Sequence, residues 1–147
     1  MRFKPNTFFM SLPCIICPSI LSADFSQLGA ECKKVLEYGG DWLHCDVMDG
    51  HFVPNLTIGA PVIQSLRKHL GQEAYLDCHL MVSDPGFWVN DYAKAGASGF
   101  TFHIETTKTK QELVELITKV KNAGMKVGVS LKPKTPLSLL IEDEAHG

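Results

Sequence analysis

The amino-acid sequence predicts an α/β fold of the (β/α)8-barrel type, in which helices cover one side of a parallel sheet. Three observations predict it. Strand-length apolar runs alternate with helical stripes along the chain, which is the order of a parallel sheet. Glycines fall between each helical stripe and the next apolar run, where a helix needs a left-handed cap. Two of the apolar runs carry polar side chains near their ends, where barrel enzymes place their sites.

Five apolar runs are predicted to be strands, because each is short and is broken by polar residues or glycine. They cover about residues 14–21, 42–48, 74–82, 99–104 and 125–131. A complete barrel has eight strands and at least roughly 200 residues. The 147 residues of this chain are therefore expected to form an incomplete barrel with about five of the eight strands.

Four helical stripes lie between these runs, because their apolar residues recur every three to four positions. They cover residues 28–36, 62–70, 88–92 and 113–120. Two starts are marked by residue type. Asp84 before Pro85 is typical of an N-cap and first turn, and Thr109 with Glu112 has the spacing of a capping box.

Composition and missing motifs exclude several classes of protein. The 14 basic and 16 acidic residues leave a net charge of -2, without the basic excess of a protein that binds nucleic acid. The apolar runs are shorter than the roughly 20 residues that span a bilayer, so no membrane partner is expected. Glycine-rich nucleotide-binding motifs are missing after the first run, which disfavours an open doubly wound sheet.

The cysteines and the N-terminal segment bear on the cell compartment. Five scattered cysteines argue against a disulfide framework and favour a reducing compartment. Cys14 and Cys17 would face opposite sides of an extended segment, so they are not predicted to form a metal or redox motif. We expect residues 1–12 to be a disordered lead-in and residues 13–147 a partial barrel domain. The lead-in lacks the features of a secretory signal, so we expect a cytoplasmic protein, and a plastid form stays open.

Residues 43–48 and 76–81 end in similar polar patterns, Leu-His-Cys-Asp-Val-Met and Leu-Asp-Cys-His-Leu-Met. Because side chains alternate across a strand, each run places a histidine, an aspartate and a methionine on one face. The residues on these two faces are His44, Asp46, Met48, Asp77, His79 and Met81. The polar run 49–55 that follows the first pattern is predicted to be a loop leaving the site, and such loops often cover substrates.

Two imidazoles and a carboxylate at this position would form a divalent metal site with open positions, suited to zinc, iron or manganese. Without a metal or other partners, burying several ionisable groups would cost several kcal/mol. The alternative is a set of hydrogen-bonded core histidines. His103, followed by Glu105, is either a partner of the site or a structural histidine, and we favour the structural interpretation.

Four segments, PSILSADF, LHCDVMDGHFVPNLTIG, DCHLMV and FHIE, together resemble the ribulose-phosphate 3-epimerase family, in order and at suitable distances. The resemblance covers about residues 13–133. It implies a ribulose-phosphate-binding barrel and an isomerase of the pentose phosphate pathway. That isomerase interconverts D-ribulose 5-phosphate and D-xylulose 5-phosphate by removing the proton next to the ketone, with one divalent metal ion (Fe, Zn, Mn or Co).

The resemblance also implies roles for particular residues. His44, Asp46 and His79 would hold the metal, and Asp46 would also remove the proton from the third sugar carbon. The residues expected to contact the substrate are Ser19, His79, Met48 and Met81. The methionines are either core filler or, beside a metal, a polarisable wall of the substrate pocket.

The family supplies its second catalytic acid and its phosphate-binding loops from later strands, and Lys134 stands where the family has a glycine. We therefore expect a truncated chain whose epimerase activity is weak or absent. Two alternatives stay open. One is a non-catalytic fragment that binds a full-length epimerase subunit, and the other is an epimerase for a six-carbon ketose phosphate. A sugar phosphate is the expected ligand, and a homo-oligomer is one expected state.

Overall fold

Four helices and four strands alternate through residues 14–140, which are the residues that the computed structural model describes. In chain order they are α1 (Leu28–Glu37), β1 (Trp42–Met48), α2 (Ala60–Leu70), β2 (Tyr75–Met81), α3 (Pro85–Ala95), β3 (Gly99–His103), α4 (Lys110–Asn122) and β4 (Lys126–Ser130). Short 3₁₀ turns lie at Phe25–Gln27, Ile104–Thr106 and Leu137–Leu139. The predicted lead-in of residues 1–12 lies outside the described residues.

The four strands form one parallel sheet in the order β1-β2-β3-β4. This order confirms the predicted parallel α/β architecture, because each strand pairs with the next one along the chain after a helical crossover. The register of β1 and β2 places Asp46 beside His79 and Met48 beside Met81. The polar ends of the two strands are therefore neighbours at one edge of the sheet.

The predicted strand at residues 14–21 is not a regular strand in the structure. It forms an isolated parallel bridge between Ser19 and His44, supported by hydrogen bonds from Ile20 N to the His44 carbonyl (3.0 Å) and from His44 N to the Pro18 carbonyl (2.9 Å). Pro18 has no N–H and cannot extend the ladder. The segment nevertheless runs alongside β1 and brings Ser19 next to the polar end of that strand.

The hydrophobic core lies between the sheet and all four helices. Buried residues alternate along β1 and β2, and the buried set includes Leu43, Cys45, Leu76 and Cys78. These side chains join one core cluster with residues from α1, α2, α3 and α4. Because the helices cover this face, the alternate side chains of the strands lie on the opposite face of the sheet.

The helix ends follow the predicted signals. Asp84 caps α3 by accepting a hydrogen bond from Phe87 N, and Thr109 caps α4 by accepting one from Glu112 N. Gly96 ends α3 in the left-handed conformation, at a φ of 87°. Within residues 14–140, no helix is both long and apolar enough to cross a membrane.

Candidate metal and substrate site

A cluster of two imidazoles and a carboxylate lies on the sheet face opposite the core. His44 Nε2 is 3.3 Å from Asp46 Oδ1, and His79 Nδ1 is 3.8 Å from the same oxygen. One ligand atom from each of the three residues lies within 4.8 Å of the others. The strand alternation predicted from the sequence thus brings together the three expected ligands. Their side chains are 13–27% exposed, so solvent reaches the cluster.

Asp77 orients the first of these imidazoles. Its Oδ2 lies 2.7 Å from His44 Nδ1, which fits an Nδ1–H donating to the carboxylate. This hydrogen bond, with the charge of Asp46, raises the pKa of His44 in spite of its burial. With Nδ1 engaged, the neutral ring presents its Nε2 lone pair towards Asp46, in the arrangement common for histidine ligands of metals. The sequence placed Asp77 on the correct face, but only the strand register shows its partner.

His103 lies against the second imidazole. His79 Nε2 and His103 Nε2 are 2.9 Å apart, and the two ring planes are nearly parallel, at 21°, with centroids 5.0 Å apart. Burial lowers the pKa of both histidines, and for His79 the nearby His103 and His44 lower it further. This contact with an expected ligand favours the other interpretation, in which His103 is a partner of the site, over the structural interpretation that the sequence favoured. The spacing of FHIE left open whether His103 contacts the site.

Ser19 completes the surroundings of the carboxylate. Its hydroxyl donates a 2.5 Å hydrogen bond to Asp46 Oδ2. The two oxygens of Asp46 therefore have different neighbours, with Oδ1 facing the imidazoles and Oδ2 held by Ser19. This contact brings the expected substrate residue Ser19 to the same cluster as the expected metal ligands.

The two methionines mark the ends of the strands beside the cluster. Met48 and Met81 are register partners and are both partly buried. No described contact joins them to the imidazoles, so their role as a pocket wall stays a prediction. After Met48 the chain leaves the sheet in the predicted loop, which includes a bridge between Asp49 and Leu56.

The loop after β1 also reaches the cluster. The Phe52 ring lies 5.0 Å from the His103 ring, and Lys132 Nζ lies 3.7 Å from the Phe52 ring centroid. Glu105 accepts hydrogen bonds from Lys132 N and from the Thr135 hydroxyl. Although burial opposes ionisation, these donors hold the pKa of Glu105 below its ordinary value. The ends of β3 and β4 are thereby connected beside His79.

Cys17 belongs to a second group of potential ligand atoms, with His44 and Asp77. Its sulfur lies 3.8 Å from Asp77 Oδ2. Burial, together with the charge of Asp77, raises the pKa of the Cys17 thiol to about 12, so the thiol keeps its proton at neutral pH. The group also uses His44 Nδ1 and Asp77, which already bond each other. Cys14 is exposed and is not a member of either group of potential ligands.

The residues present fit a divalent metal ion. Metal sites of this kind use neutral imidazole nitrogens and a carboxylate oxygen, and they leave positions open for water or substrate. His44, Asp46 and His79 supply that set, and both rings are contacted at their other nitrogen. Such outer contacts are typical of histidine ligands.

Comparison with known proteins finds close relatives. A sequence model of the ribulose-phosphate 3 epimerase family matches residues 15–143. The ribulose-phosphate 3-epimerase, cytoplasmic isoform, of Oryza sativa subsp. japonica is 62% identical over 122 residues, covering 83% of this chain and 52% of that protein. The ribulose-phosphate 3-epimerase of Candida glabrata is 49% identical over 142 residues, covering 87% of this chain and 56% of the relative. The chain thus spans about half the length of the curated relatives it matches.

The solved structures agree on the fold. The crystal structure of KGPDC from Streptococcus mutans superposes with a TM-score of 0.55 at 18% sequence identity. The match covers 89% of this chain and 58% of that structure. At this identity the likeness concerns the arrangement of strands and helices alone.

Proposed function

This chain belongs to the ribulose-phosphate 3-epimerase family, and from that premise we propose that it binds a ketose phosphate and removes the proton next to the ketone. The substrates of this proposal are D-ribulose 5-phosphate and D-xylulose 5-phosphate, in the pentose phosphate pathway. One observation carries it. The Asp46 carboxylate stands between two imidazoles and a serine hydroxyl, on the open face of the sheet.

Asp46 is the proposed base. A carboxylate that removes a proton from carbon must be ionised and must be held in one orientation. The Ser19 hydroxyl, 2.5 Å from Oδ2, fixes the orientation of the side chain. Ser19 is also the proposed contact for a polar group of the sugar.

His44, Asp46 and His79 are the proposed ligands of one divalent metal ion. When bound, such an ion supplies positive charge beside the ketone and makes the neighbouring proton easier to remove. The ligand set suits Fe, Zn, Mn or Co and does not select among them. The chain's own contribution is to hold both rings with one nitrogen free, through Asp77 at His44 and through His103 at His79.

Inversion at the sugar carbon also needs an acid that returns a proton from the opposite side. The family resemblance places this acid and the phosphate-binding loops on later strands than those described here. We therefore propose that the 147-residue chain alone turns over substrate weakly or not at all. Met48 and Met81 are proposed to line the substrate pocket. A cytoplasmic location is proposed by analogy with the rice relative, which is named a cytoplasmic isoform.

A second candidate function is association with a full-length epimerase subunit. The observation that favours it is the outer edge of β4, which pairs with no further strand within residues 14–140. An open edge of a parallel sheet presents unpaired backbone groups to another chain. A copy that completes the barrel would cover this edge.

Epimerase turnover by the purified chain tests the first proposal. The assay uses D-ribulose 5-phosphate with added Fe²⁺, Mn²⁺, Co²⁺ or Zn²⁺. We expect Asp46→Asn to lower any turnover by at least about 100-fold, because the amide cannot accept the proton. The matched control is Asp91→Asn, which alters an exposed carboxylate on α3 and is expected to leave turnover unchanged.

Measurable turnover by the chain that persists unchanged in Asp46→Asn would contradict the assignment of the base. Absence of turnover from a folded, metal-loaded chain would instead favour the second candidate. Size-exclusion chromatography of the chain mixed with a full-length epimerase subunit then decides. A shared peak supports association, and separate peaks contradict it.

A further inference from the structure

We propose that Glu105 and His103 set the tautomer of His79, so that His79 presents the lone pair of its Nδ1 atom to the metal. The inference rests on the proposed metal site at His44, Asp46 and His79, and it concerns two residues outside that set. Their role is to position the ligand. Neither is proposed to touch the substrate or the metal.

The first step is the contact between the two imidazoles. A separation of 2.9 Å between His79 Nε2 and His103 Nε2 is a hydrogen bond, so one nitrogen carries a proton and the other a lone pair. The ligand atom of His79 is Nδ1, because this nitrogen faces Asp46. For Nδ1 to be free, the proton of the neutral ring must be on Nε2. His79 then donates and His103 accepts.

The second step follows from the chemistry of neutral imidazole. If His103 accepts at Nε2, its own proton must be on Nδ1. His103 Nδ1 lies 3.4 Å from Glu105 Oε2. Both atoms are buried, and neither has a hydrogen-bond partner within residues 14–140. An Nδ1–H directed at a carboxylate oxygen would satisfy the two atoms together, after a small shift of either side chain.

The third step is the fixed orientation of Glu105. Its Oε1 accepts a 2.6 Å hydrogen bond from Lys132 N and a second one from the Thr135 hydroxyl. Oε2 is therefore left to face His103. The Phe52 ring, 5.0 Å from the imidazole of His103, packs against the same ring. A series of donors and acceptors thus runs from Lys132 N, in the loop after β4, through Glu105 and His103 to the proposed ligand His79. We call it the donor–acceptor series.

The donor–acceptor series explains why His79 needs a second histidine where His44 needs none. Asp77 accepts directly from His44 Nδ1 and leaves Nε2 free. At His79 the free nitrogen is Nδ1, and the carboxylate lies one imidazole farther away. His103 transmits the acceptor character of Glu105 to His79, because each neutral ring can donate at only one nitrogen.

Glu105→Gln provides a test because it should reverse which of the two imidazoles, His103 or His79, donates the hydrogen bond between them. The amide oxygen can keep the two donors, Lys132 N and the Thr135 hydroxyl, and the NH₂ group then faces His103 Nδ1. A donor at this position moves the proton of His103 to Nε2. His79 must then accept at Nε2 and carry its proton on Nδ1, which blocks the ligand atom.

Long-range ¹H–¹⁵N NMR spectra of the imidazole nitrogens report the tautomers in the metal-free 147-residue chain, at a pH where both rings are neutral. We expect the Nδ1–H form of His103 and the Nε2–H form of His79 in the unaltered chain. Both assignments should reverse in Glu105→Gln. In titrations with Co²⁺ or Zn²⁺, the variant should bind about 10-fold more weakly or worse.

The matched control is Glu112→Gln. Glu112 also accepts a 2.7 Å hydrogen bond from a backbone N–H, that of Lys108, but it lies on α4 and is exposed. This variant should change neither tautomers nor metal affinity. An Nε2–H form of His103 in the unaltered chain would overturn the inference, even if Glu105→Gln failed to fold. Unchanged tautomers in a folded Glu105→Gln would overturn it as well.

The result is distinguishable from a failure of the proposed function. The tautomers are measured without metal or substrate, so they do not depend on turnover. A chain with the expected tautomers that binds neither metal would contradict the proposed metal site while confirming the donor–acceptor series. A chain that binds Co²⁺ or Zn²⁺ with His103 in the Nε2–H form would contradict the donor–acceptor series alone.

Discussion

At the scale of single residues, Arg67 shows how a buried charge can be held without a carboxylate. It is only 9% exposed, and its five N–H groups share six N···O contacts of 2.7–3.1 Å. The acceptors are the carbonyl oxygens of Gly71, Gln72, Ala74 and Gly96 and the hydroxyl of Ser98. The planar, five-donor guanidinium suits such a set of acceptors. Arg67 thus joins the end of α2 to the loops before β2 and β3.

We expect Arg67→Met to lower the free energy of unfolding by about 3 kcal/mol. The substitution keeps much of the apolar stem but leaves several buried carbonyl oxygens without a donor, each at a cost of about 1 to 3 kcal/mol before relaxation and hydration. Urea unfolding followed by circular dichroism measures the change. Lys68→Met, at the next and exposed position of α2, should stay within about 0.5 kcal/mol. Equal effects of the two variants would contradict this role of Arg67.

The candidate site could be predicted only as far as local periodicity reaches. His44, Asp46 and His79 were predictable because alternation along a strand is a property of neighbouring residues. The hydrogen bond from Lys132 N to the Glu105 carboxylate joins residues 27 positions apart, and that between the imidazoles of His79 and His103 joins residues 24 apart. Such contacts depend on strand register and loop path. Sequence spacing alone therefore could not assign His103.

At the scale of elements, Asp49 fastens the loop after β1 to the end of β2. Its Oδ1 accepts from His51 N (2.8 Å) and Phe52 N (2.9 Å), and its Oδ2 accepts from Ser83 N (2.8 Å) and the Ser83 hydroxyl (2.9 Å). Burial alone would raise the pKa of Asp49, but these donors hold it well below its ordinary value. The same loop carries Phe52 to His103.

We expect Asp49→Asn to lower the free energy of unfolding by about 2 kcal/mol at pH 7, because the amide accepts with one oxygen only. The difference from the unaltered chain should shrink at pH 3. A carboxylate with a lowered folded pKa stabilises the chain above the unfolded value of about 3.9, and this stabilisation is lost as the pH falls towards the folded pKa.

Urea unfolding at the two pH values measures both effects. Asp91→Asn is the control at pH 7, where an exposed carboxylate should contribute less than about 0.5 kcal/mol. A difference between Asp49→Asn and the unaltered chain that is equal at pH 7 and pH 3 would show that the charge of Asp49 does not stabilise the loop.

The helices were predicted better than the pairing of the segment at 14–21 with β1. All four helical stripes correspond to helices, since amphipathic periodicity and caps are local. The segment at 14–21 has the apolar composition of a strand but forms only the bridge of Ser19 with His44. Pro18 removes a donor, and Ile15 and Ile16 are about half exposed, at 45% and 52%. Composition predicts a strand there. Backbone hydrogen bonds to Ile16, Pro18 and Ile20 keep the segment beside β1, but Pro18 lacks the N–H that a continuous ladder would need.

At the scale of the whole molecule, one face of the sheet forms the core and the other carries the candidate site. The helices bury one face in a single core cluster, whereas the other face holds the imidazoles and carboxylates of the candidate site. The proposed metal ligands come from β1 and β2. Ser19, which hydrogen-bonds to one of them, comes from the segment beside β1. They are brought together only when the strands are paired in register. Metal binding should therefore be linked to folding of the whole chain.

We accordingly expect Zn²⁺ or Co²⁺ to raise the free energy of unfolding, by about 2.7 kcal/mol at a free metal concentration of 100 times Kd. Urea unfolding with and without metal measures the rise, and a chelator should abolish it. His44→Asn, which removes one proposed ligand, should lose most of the stabilisation. His69→Asn, on the exposed face of α2, should keep it. Equal stabilisation of His44→Asn and the unaltered chain would place the metal elsewhere, because linkage acts only through the residues that bind the ion in the folded state.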